Sequence, residues 1–287
     1  MSDDGRHGLT LIAFVGSVFS PYYARARRRG AANPERHCAL NVALYSPGAG
    51  RWCMTERGAG DLARSADTLA IGPSQLHWDG QCLNIEIDEC AVPLPRRVRG
   101  RIRIWPEALS RQVWSLDAAG RHRWGPIAPS ARIEVALDAP QLRWQGQAYV
   151  DSNEGDEPVE AAFKTWDWSR MRLPDGSTLV HYDLQWPGRS HCLSLRFDRQ
   201  GLAREVPVPP VQALPRTAWR LSRRMRSQQP VQVAHQLEDT PFYQRAMLAV
   251  PHGGQTLRCF HETLSVPRLV QPVVQAMLPF RMPRWAT

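Results

Sequence analysis

The chain has 287 residues, of which 43% are hydrophobic and 22% are charged. This composition is that of a globular protein and excludes a disordered or fibrous chain. The formal net charge is +9, and because Lys164 is the only lysine, the excess is nearly all arginine. It is either a solvated arginine surface or a surface that attracts an anionic partner. No nucleic-acid-binding motif accompanies it, so we predict lipid headgroups and no nucleic acid.

Cysteine spacing and the apolar stretches exclude further classes. The six cysteines show no C-x-x-C and no paired Cys/His spacing, so we predict free thiols in a reducing compartment and no metal site. The start "MSDDGRHGLTLIAFVG" lacks the cationic and long apolar segments of a signal peptide. The longest apolar stretches, around residues 9–19 and 269–280, are shorter than the roughly 20 residues that a spanning helix needs. We therefore predict no membrane span.

The predicted elements, in chain order, are almost all strands. The first half contains "LTLIAFVGSVF", "CALNVALY", "RWCMTER", "TLAIG", "QLHW", "CLNIEIDE", "RVRGRIRIWP" and "ARIEVALD". The second half continues with "QLRWQGQAYVD", "TLVHYDLQW", "CLSLRFD", "VQVAHQLED", "RAMLAV" and "TLRCFHETLSV", and "DEPVEAAFKTWDWSRM" suits either a short helical turn or a strand. Short alternating runs separated by Gly and Pro predict an all-β, antiparallel barrel or sandwich architecture. Their rhythm predicts two domains, residues 1–140 and 141–287.

The last predicted segment, "VPRLVQPVVQAMLPFRMPRWAT", mixes apolar residues with Arg268, Arg281, Arg284 and Trp285. One interpretation is a tail that packs across the mouth of a barrel. The other is an apolar edge, flanked by arginine, that rests in a lipid interface, where Trp and Arg are favoured.

Candidate chemistry centres on residues 144–168, where carboxylates crowd among aromatic residues. Because strand residues two apart point to the same face, Tyr149 and Asp151 share a face, and His122 and Trp124 share another. A core histidine and a half-buried tyrosine are the structural alternatives. The loop acids Asp156 and Glu157 are more typical of turn formation. The chain contains no G-x-S-x-G, Walker, H-E-x-x-H or G-x-G-x-x-G motif, while sugar hydrolysis by paired carboxylates stays open.

Five segments, in order along the chain, resemble the carotenoid 1,2-hydratases of photosynthetic purple bacteria. They are "FVGSVFSPYYARARR", "HCALNVALYSPGAGRWCMTERG", "YVDSNEGDEPVEAAFKTWDWSR", "LEDTPFYQR" and "MLPFRMPR". The family usually has an aromatic-rich strand just before "SDDGRHG", so we expect the first strand of the first domain to be absent. The resemblance implies two lipocalin-like domains and a cofactor-free hydro-lyase that adds water across the terminal C1=C2 bond of neurosporene or lycopene.

The implied reaction specifies the residues that it needs. Protonation of C2 leaves a tertiary cation at C1, which water attacks, so the enzyme needs a buried acid that stays protonated. Asp151 suits that role, and Trp124 or Tyr149 can stabilise the cation by roughly 2 kcal/mol when desolvated. His122 can orient the acid or accept a proton from water. The resemblance points to the same four positions: His122, Trp124, Tyr149 and Asp151.

Two other functions remain open. The first is a non-catalytic, lipocalin-like carrier of a carotenoid or another lipid. The second is the carboxylate-dependent sugar hydrolase. Since a carotene is dissolved in lipid, a hydratase is expected to attach peripherally to the cytoplasmic side of the inner or intracytoplasmic membrane.

Overall fold

The computed structural model describes residues 1–30 and 32–284. Strands account for 56% of the structure and helices for 11%, and the sheets are antiparallel, so the all-β prediction is confirmed. No sheet of the described residues closes into a barrel. Each remains an open, twisted layer, which agrees with the sandwich alternative and not with closed barrels.

The first eleven strands are β1 (Gly8–Val15), β2 (Cys38–Tyr45), β3 (Arg51–Arg57), β4 (Leu62–Arg64), β5 (Thr68–Ile71), β6 (Ser74–Trp78), β7 (Leu83–Ala91), β8 (Arg96–Pro106), β9 (Trp114–Ser115), β10 (His122–Ala139) and β11 (Gln141–Gly155). The others are β12 (Thr165–Arg172), β13 (Thr178–Trp186), β14 (Arg189–Phe197), β15 (Ala203–Glu205), β16 (Val211–Leu214), β17 (Arg223–Arg226), β18 (Gln232–Asp239), β19 (Tyr243–His252) and β20 (Gln255–Ser265). The helices are α1 (Pro21–Arg28), α2 (Val159–Ala162), α3 (Val266–Leu269) and α4 (Pro272–Met277).

The chain folds into two compact units, each assembled from separate segments. Unit 1 comprises Met1–Pro106, Ala131–Ala148 and the segment that starts at Gln275. Unit 2 comprises Glu107–Ser130 and Tyr149–Val274. The long strands β10 and β11 contribute residues to both units. The sequence-based boundary near residue 140 stays a prediction.

Unit 1 contains the three-stranded sheet β1-β2-β3 and most of an eight-stranded sheet with the order β11-β10-β8-β7-β6-β5-β4, to which β9 is paired through β10. Strand β2 is buried from Cys38 to Leu44. Its polar exception, Asn41, is satisfied because its Nδ2 donates to the carbonyl of Cys53 at 3.0 Å. The near-continuous apolar run of β2 therefore forms the centre of this unit's core.

Unit 2 contains the seven-stranded sheet β15-β14-β13-β12-β20-β19-β18 and the separate hairpin β16-β17. Strand β12 alternates Trp166 and Trp168 with Asp167 and Ser169, so the two faces of the sheet differ in chemistry. The hairpin packs on the aspartate face, where Met225 joins the apolar cluster of Met171, Leu248 and their neighbours. The opposite face, which carries Trp166 and Trp168, borders the candidate site.

Buried ion pairs reinforce the contact between the hairpin and the sheet. Arg224 Nη2 and Arg226 Nε donate to the two carboxylate oxygens of Asp183 at 3.0 and 2.6 Å. Asp167 lies beside this pair and accepts from Thr263 Oγ1 at 2.6 Å. Burial raises the pKa of Asp167 to about 7. This polar cluster is closely packed and is structural.

The C-terminal segment is tied into unit 1. The Glu56 backbone N–H donates to the carbonyl of Pro283 at 2.9 Å, and the Arg284 guanidinium pairs with the Glu56 carboxylate and donates to the Arg36 carbonyl. Arg284 thus binds other residues of the protein, as expected for a packed tail. Trp285, which also belongs to the predicted lipid edge, lies outside the described residues. No described helix is long and apolar enough to cross a membrane.

A buried ion pair in unit 1 offers a test of the packing. Arg57 Nη2 donates to Glu89 Oε2 at 2.8 Å, and Ser74 donates to the other carboxylate oxygen at 2.9 Å. Glu89→Ala leaves a buried guanidinium without its counter-ion, and we expect a loss of about 3–5 kcal/mol in the free energy of unfolding. Urea denaturation measures it. Glu86→Ala, on the same strand but exposed, is the control and is expected to have little effect; equal losses would contradict the assignment.

Candidate active site

Asp151 lies where β11 passes the tryptophan of β10. The Trp124 Nε1–H donates to Asp151 Oδ2 at 2.8 Å, and the Tyr149 hydroxyl donates to the same oxygen at 3.2 Å. Tyr149 reaches it because residues two apart on β11 share a face. Trp124 is fully buried. Three of the four predicted site residues therefore form one hydrogen-bonded group.

The surroundings of Asp151 favour its protonated form. Burial raises the pKa of the carboxyl to about 6, although the hydrogen bond from Trp124 opposes the increase. The negative charge of Glu262 adds to the increase. Burial also raises the pKa of Tyr149 well above its usual value, so its hydroxyl stays neutral. Asp151 is only partly buried as a residue, which leaves it reachable by a ligand.

Aromatic rings enclose this group. Tyr149 packs on Trp168 with ring centroids 5.3 Å apart. Trp124 packs edge-on against Tyr182 at 5.5 Å and in a tilted arrangement against Trp114 at 5.7 Å. Both Trp168 and Tyr182 come from the face of the unit 2 sheet that the hairpin does not cover. The rings provide an apolar wall with electron-rich faces next to Asp151.

His122 occupies the neighbouring part of the same face of β10. Its Nδ1 lies 3.0 Å from Asp117 Oδ2, and its ring packs edge-on against Phe163 at 4.8 Å. Its Nε2 is buried and has no hydrogen-bond partner among the described residues. No hydrogen bond joins His122 to Asp151 in the part of the chain that the structure describes, and Trp124 makes the contact that orients the acid.

The remaining acids of the loop bind arginines of β10 and its preceding turn. Both carboxylate oxygens of Asp156 accept from Arg123 at 2.8 Å, and Glu157 pairs with Arg121 at 2.7 Å. These contacts hold the loop after β11 against the start of β10. The structural role that the sequence favoured for Asp156 and Glu157 agrees with this geometry.

Sequence reasoning missed Asp117, Glu262 and Tyr182, and it included Trp168 in the aromatic stretch of residues 144–168 without giving it a role. Asp117 had a local signal, since the turn "DAAGR" directly precedes His122. The other three lie on β12, β13 and β20, and no sequence spacing relates those strands to β11. Only the pairing of Trp168 with Tyr182 and Glu262 in neighbouring strands places them together.

A surface pocket of about 280 Å³ lies in unit 2, at the turn that carries Asp117. It is lined by Ser115, Leu116, Asp117, Ala118, Trp186, Arg189, Ser190 and His191. Among the described residues, no group of three or more His, Cys, Asp or Glu side chains is arranged to hold a metal ion.

A family model described as "Carotenoid hydratase CrtC" matches residues 11–287. The chain belongs to this family. It is 54% identical to the acyclic carotenoid 1,2-hydratase of Rubrivivax gelatinosus, over 100% of this chain and 72% of that protein. It is 51% identical to the enzyme of the same name from Thiocapsa roseopersicina, over 99% of this chain and 71% of that protein. The resemblance found in the sequence is confirmed.

The relatives also include the acyclic carotenoid 1,2-hydratase of Cereibacter sphaeroides, which is 40% identical over 96% of this chain and 98% of that protein. Among solved structures, a Nitrosomonas europaea protein described as AttH superposes with a TM-score of 0.59 at 12% identity, covering 92% of this chain and 88% of that one. That likeness concerns the fold alone, and it confirms the lipocalin-like β architecture.

The raised pKa of Asp151 predicts an unusual pH dependence of stability. The folded state binds the Asp151 proton more tightly than the unfolded chain does. This proton therefore adds to the free energy of unfolding in full below about pH 3.8, and the added stability is lost as the pH rises to about 6. At pH 8, Asp151→Asn is therefore expected to exceed the wild type in free energy of unfolding, by roughly 3 kcal/mol at most. Urea denaturation at pH 8 and an NMR titration of the carboxyl carbon measure both quantities.

Asp156→Asn is the matched control, because the Arg123 guanidinium lowers the pKa of Asp156 and the substitution removes a favourable charge. We expect no gain in stability from it at pH 8. A titration midpoint near 3.8 for Asp151 would contradict the burial argument.

Proposed function

We propose that this protein adds water across the terminal C1=C2 double bond of an acyclic carotene such as neurosporene or lycopene, with Asp151 as the acid. The observation that carries the proposal is a carboxyl with a raised pKa, held by two neutral donors among aromatic rings. An unactivated alkene reacts only after protonation, and a desolvated carboxylic acid supplies that proton. The names of the relatives support the same reaction.

In the proposed reaction, the Asp151 proton passes to C2 and the electron pair of the double bond forms the new C–H bond. The tertiary cation that remains at C1 faces the rings of Trp124 and Tyr149, which stabilise it by roughly 2 kcal/mol when desolvated. Water then attacks C1, and His122 accepts the proton that the water releases. The product is a 1-hydroxy carotene, and the reaction uses no cofactor.

The neutrality of the Tyr149 hydroxyl matters for this step. A phenolate beside the cation would add to it and end the reaction, whereas burial keeps the pKa of Tyr149 far above its usual value. The Asp151 carboxylate, once formed, is stabilised by the Trp124 indole N–H. A sugar hydrolase instead needs a polar groove around two acids, and the rings around Asp151 do not favour it.

Asp151→Asn tests the acid. The amide keeps the shape and the acceptor for Trp124 but has no acidic proton, so we expect hydration to fall by at least about 10²-fold. The assay incubates the variant with lycopene in micelles without added cofactor and detects one added water by mass. In D₂O, the wild-type product is expected to carry one deuterium at C2.

Asp156→Asn, in the same loop but away from the rings, is expected to keep wild-type activity. Full activity of Asp151→Asn would exclude the acid role. If the wild-type protein binds lycopene and forms no hydroxylated product, the carrier function is correct instead.

We also propose that the protein attaches peripherally to the cytoplasmic side of the inner or intracytoplasmic membrane, where such a substrate is dissolved. The C-terminal helical segment supports this. Met277, at the end of α4, and Phe280, in the 3-10 turn that follows, both belong to unit 1 and expose 43% and 77% of their surfaces. Exposed apolar residues on one helical segment are typical of interfacial attachment.

The double substitution Met277→Ser with Phe280→Ser tests the membrane contact. We expect it to reduce co-flotation with liposomes of anionic lipid by about tenfold or more, because two apolar side chains no longer enter the interface. The control is Leu94→Ser, which alters a residue that is 64% exposed elsewhere in unit 1. Unchanged flotation of the double variant would show that this segment is not the attachment surface.

A further inference from the structure

Two turns of unit 2 share the pattern Asp-x-x-Gly-x and the same backbone. In each, Oδ1 of the aspartate accepts from the backbone N–H groups two and four residues later, at 2.8 and 3.2 Å for Asp117 and at 2.9 and 2.9 Å for Asp198. In each, the glycine has a positive φ, 69° at Gly120 and 79° at Gly201. Because Oδ1 alone holds the Asp198 turn, this turn type does not require the second carboxylate oxygen.

At Asp117 the second oxygen binds a histidine. Asp117 Oδ2 accepts from the His122 backbone N–H at 2.7 Å and lies 3.0 Å from His122 Nδ1. The pKa of Asp117 lies below its usual value. Burial raises this pKa, but the hydrogen bonds that the carboxylate accepts from Arg121 and His122 lower it by more. Asp117 is therefore an ionised carboxylate, which only accepts hydrogen bonds.

The tautomer of His122 follows from this contact. Since Asp117 Oδ2 only accepts, Nδ1 must carry the proton, and in the neutral imidazole Nε2 is then an acceptor. The Phe163 ring packs edge-on against the imidazole. Together, the carboxylate and the ring hold the imidazole in one orientation.

Gly155 lies beside Nε2, and its missing side chain leaves room next to this nitrogen. A methyl group at Gly155 would lie 3.1 Å from His122 Cδ2 and 3.4 Å from Nε2. Nε2 itself is buried without a partner among the described residues. A buried acceptor without a partner costs about 1–3 kcal/mol, so a small hydrogen-bond donor at this position is favoured.

We propose that Asp117 is a positioning residue that fixes His122 with Nε2 as acceptor, and that this Nε2 and the space at Gly155 bind the nucleophilic water. The proposal rests on the hydratase function. The water oxygen bonds to C1 while one of its protons passes to Nε2. Asp151 has by then given its proton to C2, so His122 releases its proton to solvent and the Asp151 carboxylate takes one up from solvent, which completes the turnover.

Asp117→Asn tests the positioning role, with Asp198→Asn as the matched control. The control alters a turn of the same type that contacts no histidine, so any loss of stability in the turn itself is expected in both variants. We expect Asp117→Asn to lower kcat by about 10- to 100-fold with little change in KM, because the loss of an orienting partner has effects of that size. Asp198→Asn is expected to keep both constants.

The ¹⁵N NMR spectrum of the histidines gives a readout that a merely structural role would not change. In the wild type, the His122 signals, assigned by their loss in His122→Gln, are expected to show a protonated Nδ1 and an unprotonated Nε2. Asp117→Asn is expected to mix the two tautomers, and Asp198→Asn to leave them unchanged. A single unchanged tautomer in Asp117→Asn would overturn the positioning role.

Gly155→Ala tests the water position, with Gly125→Ala as the control. Gly125 lies on β10 and Gly155 on the paired strand β11, and neither glycine has a positive φ. A methyl group at Gly125 would meet Ser152 Oγ at 3.2 Å and not the histidine. We expect Gly155→Ala to lower kcat at least tenfold while lycopene still binds, and Gly125→Ala to keep kcat. Equal kcat values for the two variants would overturn the water position.

Asp151→Asn in the same assay separates the two proposals. If it is inactive and Asp117→Asn behaves like Asp198→Asn, the positioning role is wrong and the hydratase function stands. If Asp151→Asn is fully active, the proposed reaction is wrong, and the water position fails with it.

Discussion

The hydrogen bond between the Trp124 indole and the Asp151 carboxyl is the contact on which the candidate site depends. It joins β10 to β11 through two side chains that the strands bring to one face, and it does so in surroundings where a carboxylate is costly. The indole N–H limits that cost without removing it. Asp151 consequently keeps a pKa between that of an exposed aspartate and that of a carboxyl without any donor, which suits a group that must give up a proton and later regain it.

The seven-stranded sheet of unit 2 separates two kinds of buried polarity. On the hairpin face, Asp183 is matched by two arginines, so charge is neutralised by charge. On the other face, Asp151 accepts hydrogen bonds from two neutral donors, and burial, with a contribution from Glu262, raises the pKa of its carboxyl. Strand alternation makes this possible, because Asp167 and Trp168 are adjacent in sequence yet belong to opposite environments. The first arrangement stabilises the fold, and the second raises the pKa of the carboxyl.

Much of the site was accessible from the sequence because it depends on short-range geometry. Period two places Tyr149 with Asp151 and His122 with Trp124, and the structure brings Trp124, Tyr149 and Asp151 into one hydrogen-bonded group. The ambiguous stretch after the acidic loop contains both predicted forms, since α2 is followed directly by β12. The sheets of the described residues are open, and the sequence left barrel and sandwich as alternatives because strand rhythm does not reveal whether the last strand of a sheet pairs with the first.

The sequence by itself determined the all-β class, the family and the residues with useful chemistry, because alternation and local motifs are properties of neighbouring positions. Only the tertiary structure decided which of those residues meet. In the structure, Trp124 donates a hydrogen bond to Asp151, and His122 contacts Asp117. Trp168, Tyr182 and Glu262 come from three different strands and lie on the same face of the sheet. The pKa of Asp151 belongs to this second group, since burial is a sum over neighbours that the order of residues does not specify.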